Sequence, residues 1–355
     1  MQAFQAAEDK EMMTNPHFAH TLLDWYATHG RTLPWRGTRN PYAIWLSEVI
    51  LQQTRIEQGR PYWERFMARW PRVEDLAAAG EDEVLRLWQG LGYYSRARNL
   101  HTAARQIAAQ GQFPSTFEAI SQLKGVGPYT AAAIASIAFD EPVAVVDGNV
   151  YRVLSRHFGI ETPINSTRGK HEFQTLAQQL LPRKQAAAFN QAIMDFGAMQ
   201  CTPHAPQCMT CPLMDTCVAF RDHRTDELPV KEKKLTVKTR RLVYIYLRCN
   251  GCTAIRRRPA GDIWQGLWEP PTPDALPGSP SSPADWGLPI CKNMKHVLTH
   301  RILLADFYLL QTDRKPPLGD EYLWIKEEDI INYGIPRLIE RMLERLPRPE
   351  NASSE

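Results

Sequence analysis

The sequence predicts a mainly α-helical domain followed by a smaller α+β domain. Two observations carry this expectation. From Asn15 to about Ala219, apolar residues recur at steps of three and four with repeated cap signals. Beyond Arg221, a polar and basic stretch gives way to segments with strand alternation. A length of 355 residues, 43% hydrophobic and 23% charged, suits a globular protein of two domains. No run approaches the ~18 uninterrupted apolar residues of a membrane span. The opening MQAFQAAEDKEMM lacks the basic-then-apolar order of a secretory signal. A soluble cytoplasmic protein without membrane association is expected.

The elements follow in order. Asn40-Pro41 supplies an N-cap and a first-turn proline, and Tyr42, Trp45, Leu46, Val49 and Ile50 then form one apolar stripe. Leu123-Lys124-Gly125-Val126-Gly127 is a tight turn between helical stretches, with the next helix over Thr130 to Phe139. The apolar run Val143-Ala144-Val145-Val146 leads into Asp147-Gly148-Asn149, where Asp147 suits the N-cap of a helix beginning near Val150. In the second half, Leu242 to Cys249 and Ile302 to Leu310 read as half-buried strands. Seven prolines between Pro270 and Pro289 exclude regular structure there, and Arg337 to Leu346 reads as a closing helix. The expected organisation is a helical domain over 1–224 with a hairpin at 123–129 and a cysteine loop at 201–217. A basic linker over 225–239, a second domain over 240–348 and a disordered tail over 349–355 follow. No internal repeat is evident.

The net charge is only +3, so bulk charge announces no nucleic-acid partner. Its distribution is uneven, with ten Lys or Arg against Glu232 alone between Lys231 and Arg258. Such a run is either a solvated connector or a phosphate-facing surface. Of seven cysteines, four are spaced C-x6-C-x2-C-x5-C as Cys201, Cys208, Cys211 and Cys217. An odd total argues against a disulfide framework, and a single CxxC is not the paired knuckle pattern of a structural zinc. Four thiolates in one short loop fit an iron–sulfur cluster, with zinc or unligated thiols as the alternatives. The Gly125 to Gly127 turn lets the backbone approach a phosphate at a helix N-terminus, although ordinary helix connections also use glycine.

Four motifs occur in order: WLSEVILQQT over 45–54, GLGYYSRARN over 90–99, the glycine turn with its Asp147-Gly148-Asn149, and the four cysteines. Together they resemble the helix-hairpin-helix DNA glycosylase superfamily and, within it, the branch that removes adenine mispaired with 8-oxo-guanine. The resemblance spans about 15–220 closely and 240–345 more loosely. The related endonuclease III branch, which removes oxidised pyrimidines, carries a nucleophilic lysine at the second position after the hairpin's GVG; here that position is Tyr129.

The resemblance implies a [4Fe-4S] cluster on Cys201, Cys208, Cys211 and Cys217 and a Nudix-like C-terminal domain. It implies hydrolysis of an N-glycosidic bond in duplex DNA bearing adenine opposite 8-oxo-guanine, by a monomer that flips the nucleotide out of the helix. Such hydrolysis needs a proton for the departing base and negative charge beside the sugar cation, a division of labour between two carboxylates. Glu48, on a hydrophobic helix, is the candidate general acid and Asp147 the ionised partner, with Tyr129 and Asn149 orienting them. From its residues alone, Glu48 also reads as a surface acid paired with Arg55. Gln52 and Tyr93 resemble the residues that fill the gap in the stack. Arg36 and Gln191 resemble those lining the adenine pocket, and Gly125 and Gly127 those meeting the DNA backbone. Thr299 and His300 correspond to the loop that recognises 8-oxo-guanine, with Leu298 in place of the family's aromatic. No catalytic Nudix box with paired glutamates is present. Two further readings remain: a pyrimidine-lesion glycosylase and lyase, and a non-catalytic iron–sulfur DNA-binding module.

Overall fold

The computed structural model describes residues 16–232, 238–279, 282–298 and 301–347. Thr299 and His300, and the tail expected to be disordered, lie outside the described residues. The helices in chain order are α1 (Pro16–His29), α2 (Pro41–Ile50), α3 (Ile56–Arg69), α4 (Val73–Ala78), α5 (Glu81–Leu87), α6 (Ser95–Gln110) and α7 (Phe117–Ser121). Then come α8 (Pro128–Phe139), α9 (Gly148–Phe158), α10 (Thr167–Leu180), α11 (Ala186–Met199) and the short α12 (Val218–Arg221). Among the described residues six strands follow: β1 (Lys238–Arg248), β2 (Cys252–Arg257), β3 (Trp268–Glu269), β4 (Leu288–Val297), β5 (Arg301–Gln311) and β6 (Tyr322–Lys326); α13 (Arg337–Leu343) is the last described element.

These elements fall into two compact units. The first takes the described residues up to Trp63, Met67–Glu74, and Thr102 onward to the start of β1. The second takes Glu64–Phe66, Asp75–His101 and the residues from β1 on, so α5 belongs with the C-terminal sheets.

In the first unit, α8 is apolar all round and buried from Thr130 to Ala138, as a central helix must be. It packs against α2, α7 and α11. The Asn40 side chain caps α2 as expected, accepting from the amides of Tyr42 and Ala43, and Glu48 is the only charged residue of that helix. The chain between α8 and α9 is extended but joins no sheet. Its backbone groups are met by side-chain amides instead: Asn190 accepts from Val145 N at 3.1 Å and donates to Val143 O at 2.9 Å. This fixes the approach to Asp147, whose carboxylate caps α9 by accepting from Asn149 N and Val150 N.

The basic connector expected over 225–239 is not free along its length. Leu228 is buried, Arg156 donates to Leu228 O, and Ile164 N donates to Val230 O at 3.0 Å. Residues 233–237 lie outside the described residues, and β1 begins at Lys238.

In the second unit, one sheet has the order β1-β5-β4, with β1 and β5 parallel from Lys238↔Arg301 to Arg248↔Gln311. The other sheet is β3-β2-β6 and antiparallel. Tyr244, Phe307, Leu338 and Ile339 form the heart of its core. The strands expected at 242–249 and 302–310 are present and longer. The proline-rich stretch differs from expectation: it holds short 3-10 turns at Pro273–Ala275 and Pro283–Trp286, and β4 starts at Leu288 with Pro289 inside it. β4 is the outer strand of its sheet, where a residue without an N–H is tolerated.

Candidate active site and cysteine loop

A cavity of about 440 Å³ opens in the first unit between α2, α8, α9 and α11. That is within the roughly 300–1,000 Å³ of small-molecule sites. Arg36, Glu48, Tyr129, Asp147, Asn149 and Gln191, six residues proposed from sequence, all line it. They come from five separate stretches of chain.

Glu48 sits on the cavity wall, its pKa raised to about 7. Burial is the main cause and the charge of Asp147 adds to it; a hydrogen bond with Tyr129 and the charge of Arg36 oppose it. Its partner is thus the Tyr129 hydroxyl rather than Arg55. Tyr129, buried beside both carboxylates, is itself pushed far above the usual phenol range.

Asp147 is held differently. Burial holds its pKa above the ordinary carboxylate value, against three donors that pull the other way: Asn149 N at 2.9 Å, Val150 N at 2.8 Å and the Asn149 side-chain amide at 2.8 Å. Every group bonded to this carboxylate is a donor at the positive end of α9, which favours the anion. Asn149 is held in turn by Arg152, whose guanidinium donates to Asn149 Oδ1 at 2.8 Å, to Gly197 O at 2.6 Å and to Cys201 O at 2.7 Å. Helix α11 crosses here at Gly197, where a Cβ would lie 2.7 Å from the Asn149 Cβ. Any larger residue would displace Asn149.

A third buried carboxylate, Asp195, was not anticipated. It is wholly buried and accepts from Arg31 through the backbone N at 3.0 Å and the side-chain Nε at 2.8 Å, and from Arg36 Nη2 at 2.7 Å. Burial alone would raise its pKa, but these two arginines hold it below the ordinary carboxylate value. Tyr26 lies alongside and donates to Gln191 Oε1 at 2.6 Å. The available signal was the one that singled out Glu48, an acid embedded in an apolar helix; Arg31 and Tyr26 carried none.

The other expected residues are placed as follows. Gln52 Nε2 donates to Thr130 Oγ1 at 3.3 Å, next to the cavity helices. Gly125 has φ +76° and makes the turn before α8; Gly127 has an ordinary φ, and a Cβ there would meet nothing within 4 Å. Tyr93 belongs to the second unit, is 48% exposed and takes a left-handed φ of 48°, whereas its neighbour Tyr94 is buried.

The four cysteines line one small cavity together with Arg156 and Phe220. Arg156 reaches into their loop, with Nη1 3.4 Å from Cys201 Sγ and 2.7 Å from Thr202 O. Among the described residues, no three His, Cys, Asp or Glu gather around a point where one metal ion would sit. Four thiols spaced around a common cavity fit a polynuclear group better than a single ion. Burial pushes the Cys211 thiol up to about 12, with the charges of the other three adding to the rise, so thiolates there require an electropositive partner.

Comparisons with known proteins agree with this layout. A family described as "HhH-GPD superfamily base excision DNA repair protein" matches residues 46–183, and a NUDIX domain family matches 243–345. An adenine DNA glycosylase of Buchnera aphidicola subsp. Acyrthosiphon pisum is 30% identical over 352 residues, covering 95% of this chain and 99% of that protein. The adenine DNA glycosylase of Mus musculus is 46% identical over 215 residues, covering 58% of this chain and 42% of the mouse protein. Among solved structures, a thermostable thymine-DNA glycosylase matches with a TM-score of 0.56 at 31% identity, over 60% of this chain and 99% of that one.

Proposed function

Because the chain belongs to the adenine DNA glycosylase family, we propose that its cavity receives an adenine nucleotide everted from duplex DNA and hydrolyses the N-glycosidic bond. The single observation that carries this is the pair of unlike carboxylates: Glu48 with a pKa of about 7, able to give a proton to the leaving base, and Asp147 ringed by three donors that favour its anion. A departing purine leaves better protonated, and general acid catalysis of this kind is worth about 10²- to 10⁴-fold. The sugar left behind carries positive charge, which Asp147 stabilises before water adds. Tyr129 and Asn149 hold the two acids in place. Gln52 fills the gap left by the nucleotide, the turn at Gly125 and Gly127 meets the phosphate backbone, and Tyr93, an exposed aromatic of the second unit, is suited to stack on a base.

Recognition of 8-oxo-guanine in the opposite strand is assigned to the C-terminal domain, through Thr299 and His300. The four cysteines would hold a [4Fe-4S] cluster, which supplies a rigid electropositive centre to the loop that Arg156 anchors. The likeness to a thymine-DNA glycosylase covers 60% of this chain, whereas the NUDIX match over 243–345 favours the adenine enzyme. Tyr129 at the place of the lyase lysine favours a monofunctional hydrolase over the pyrimidine-lesion enzyme. The intact carboxylate pair favours an enzyme over a passive binding module.

The test is single-turnover base release from a duplex bearing adenine opposite 8-oxo-guanine, without added base. Adenine release with an uncleaved backbone and no borohydride-trapped adduct is expected. Release of oxidised pyrimidines instead would reverse the assignment.

A further inference from the structure

The buried polar groups around Asp195 form a chain with only one possible direction. Asp195 is wholly buried and accepts only. Arg36 donates to it from Nη2 at 2.7 Å, and a guanidinium has no acceptor to offer anything else. The same guanidinium lies 5.9 Å from the centre of the Tyr26 ring, so a fixed positive charge faces this tyrosine. Arg36 also hydrogen-bonds the Tyr26 hydroxyl, where a guanidinium can only donate, and the hydroxyl's single proton goes to Gln191 Oε1, 2.6 Å away. Once the oxygen of the Gln191 amide is held by Tyr26, the amide nitrogen points the other way, and Gln191 lines the cavity. A freely rotating glutamine would offer either face and select nothing.

We infer that Tyr26 is a positioning residue that locks Gln191 as a hydrogen-bond donor into the cavity, so that the site demands an unprotonated ring nitrogen on the base it accepts. This deepens the adenine reading and rests on it. A protonated ring nitrogen at that place would oppose two N–H groups and leave both unpaired in a confined site, the kind of mismatch that gives strong discrimination. Tyr26 itself touches no reacting atom.

The experiment uses the full chain and duplexes with adenine, or its 1-, 3- or 7-deaza analogue, opposite 8-oxo-guanine. Single-turnover release is measured for wild type, Tyr26→Phe, Gln191→Leu and the double variant. In wild type, loss of one ring nitrogen should slow release without abolishing it. Gln191→Leu should shrink that penalty by roughly 3- to 10-fold, the worth of one neutral hydrogen bond. Tyr26→Phe should shrink the same penalty, and the double variant should go no further than Gln191→Leu alone. Tyr26→Phe slowing all four bases by a common factor, or adding its effect to that of Gln191→Leu, overturns the inference while leaving the enzyme's assignment intact. A wild-type protein that releases no adenine overturns the assignment itself, and the inference with it.

Discussion

The charge of Asp147 acts on Glu48 across the cavity that both line, and so helps to keep a proton on the other carboxylate near neutral pH. Burial of Glu48 does most of this, and the charge of the second acid adds to it. If Glu48 is the proton donor, the rate of base release should fall as pH rises through about 7. A single-turnover pH profile with no alkaline decline would remove Glu48 from that role.

Glu48→Gln should reduce base release by at least ~10²-fold while preserving duplex binding. It should also stabilise the protein in alkali. The folded-state pKa of Glu48 lies above its usual 4.5, at about 7, so folding takes up a proton and the stability this gives is present below 4.5 and lost as pH rises to 7. A neutral amide escapes that loss, which amounts to roughly 3 kcal/mol at pH 8. Denaturant unfolding at pH 5 and 8 checks this: a gain that does not grow with pH contradicts it.

Arg152→Ala should slow base release at least tenfold and lower stability by about 2–3 kcal/mol, because it leaves Gly197 O, Cys201 O and Asn149 Oδ1 without their donor. The amide that steadies Asp147 would then be loose. Unfolding measurements beside kinetics separate the two effects, and wild-type kinetics in a destabilised variant would show that Asn149 needs no support.

Cys208→Ser should lower bound iron and weaken duplex affinity more than it alters the rate of base release from saturated complex. The cysteine loop is tied to α9 through Arg152 and Arg156 and to the end of α11 through the bond from Cys201 N to Phe196 O. Full affinity in an iron-free variant would show that the loop keeps its shape unaided.

His157 should make the protein acid-sensitive. It packs between Phe18 and Phe158, and burial pushes its pKa from 6.5 down to about 4, with the charge of His17 adding to the effect. The folded state therefore resists protonation. The stability contributed is present above pH 6.5 and is lost as pH falls toward 4, by about 3 kcal/mol. His157→Phe should flatten the stability curve over that interval, and an unchanged slope would assign acid unfolding elsewhere.

What was readable in the chain beforehand was local chemistry. Glu48 stood out as the sole charge in an apolar helix, Asp147 as a cap beside glycine, and the cysteines by spacing; all are properties of neighbours in sequence. The capped start of α2 and the apolar α8 were legible for the same reason. What escaped notice depends on distant pairings. Asp195 acquires meaning only because Arg31 and Arg36, more than 150 residues earlier, fold back onto it. Arg152 looks like one more helix-surface cation until α11 and the cysteine loop close over it. Pro289 argued against a strand, and only the outer position of β4 makes it admissible.

Nothing inside the molecule calls for glycine at position 127: its φ is ordinary and a methyl group would sit in open space. Alanine there trades a slightly poorer helix cap against a less floppy unfolded chain, and the two nearly cancel. A screen that scores only soluble yield or melting temperature would therefore pass Gly127→Ala as harmless. Harm, if any, would surface only when a nucleic-acid strand is pressed against that turn.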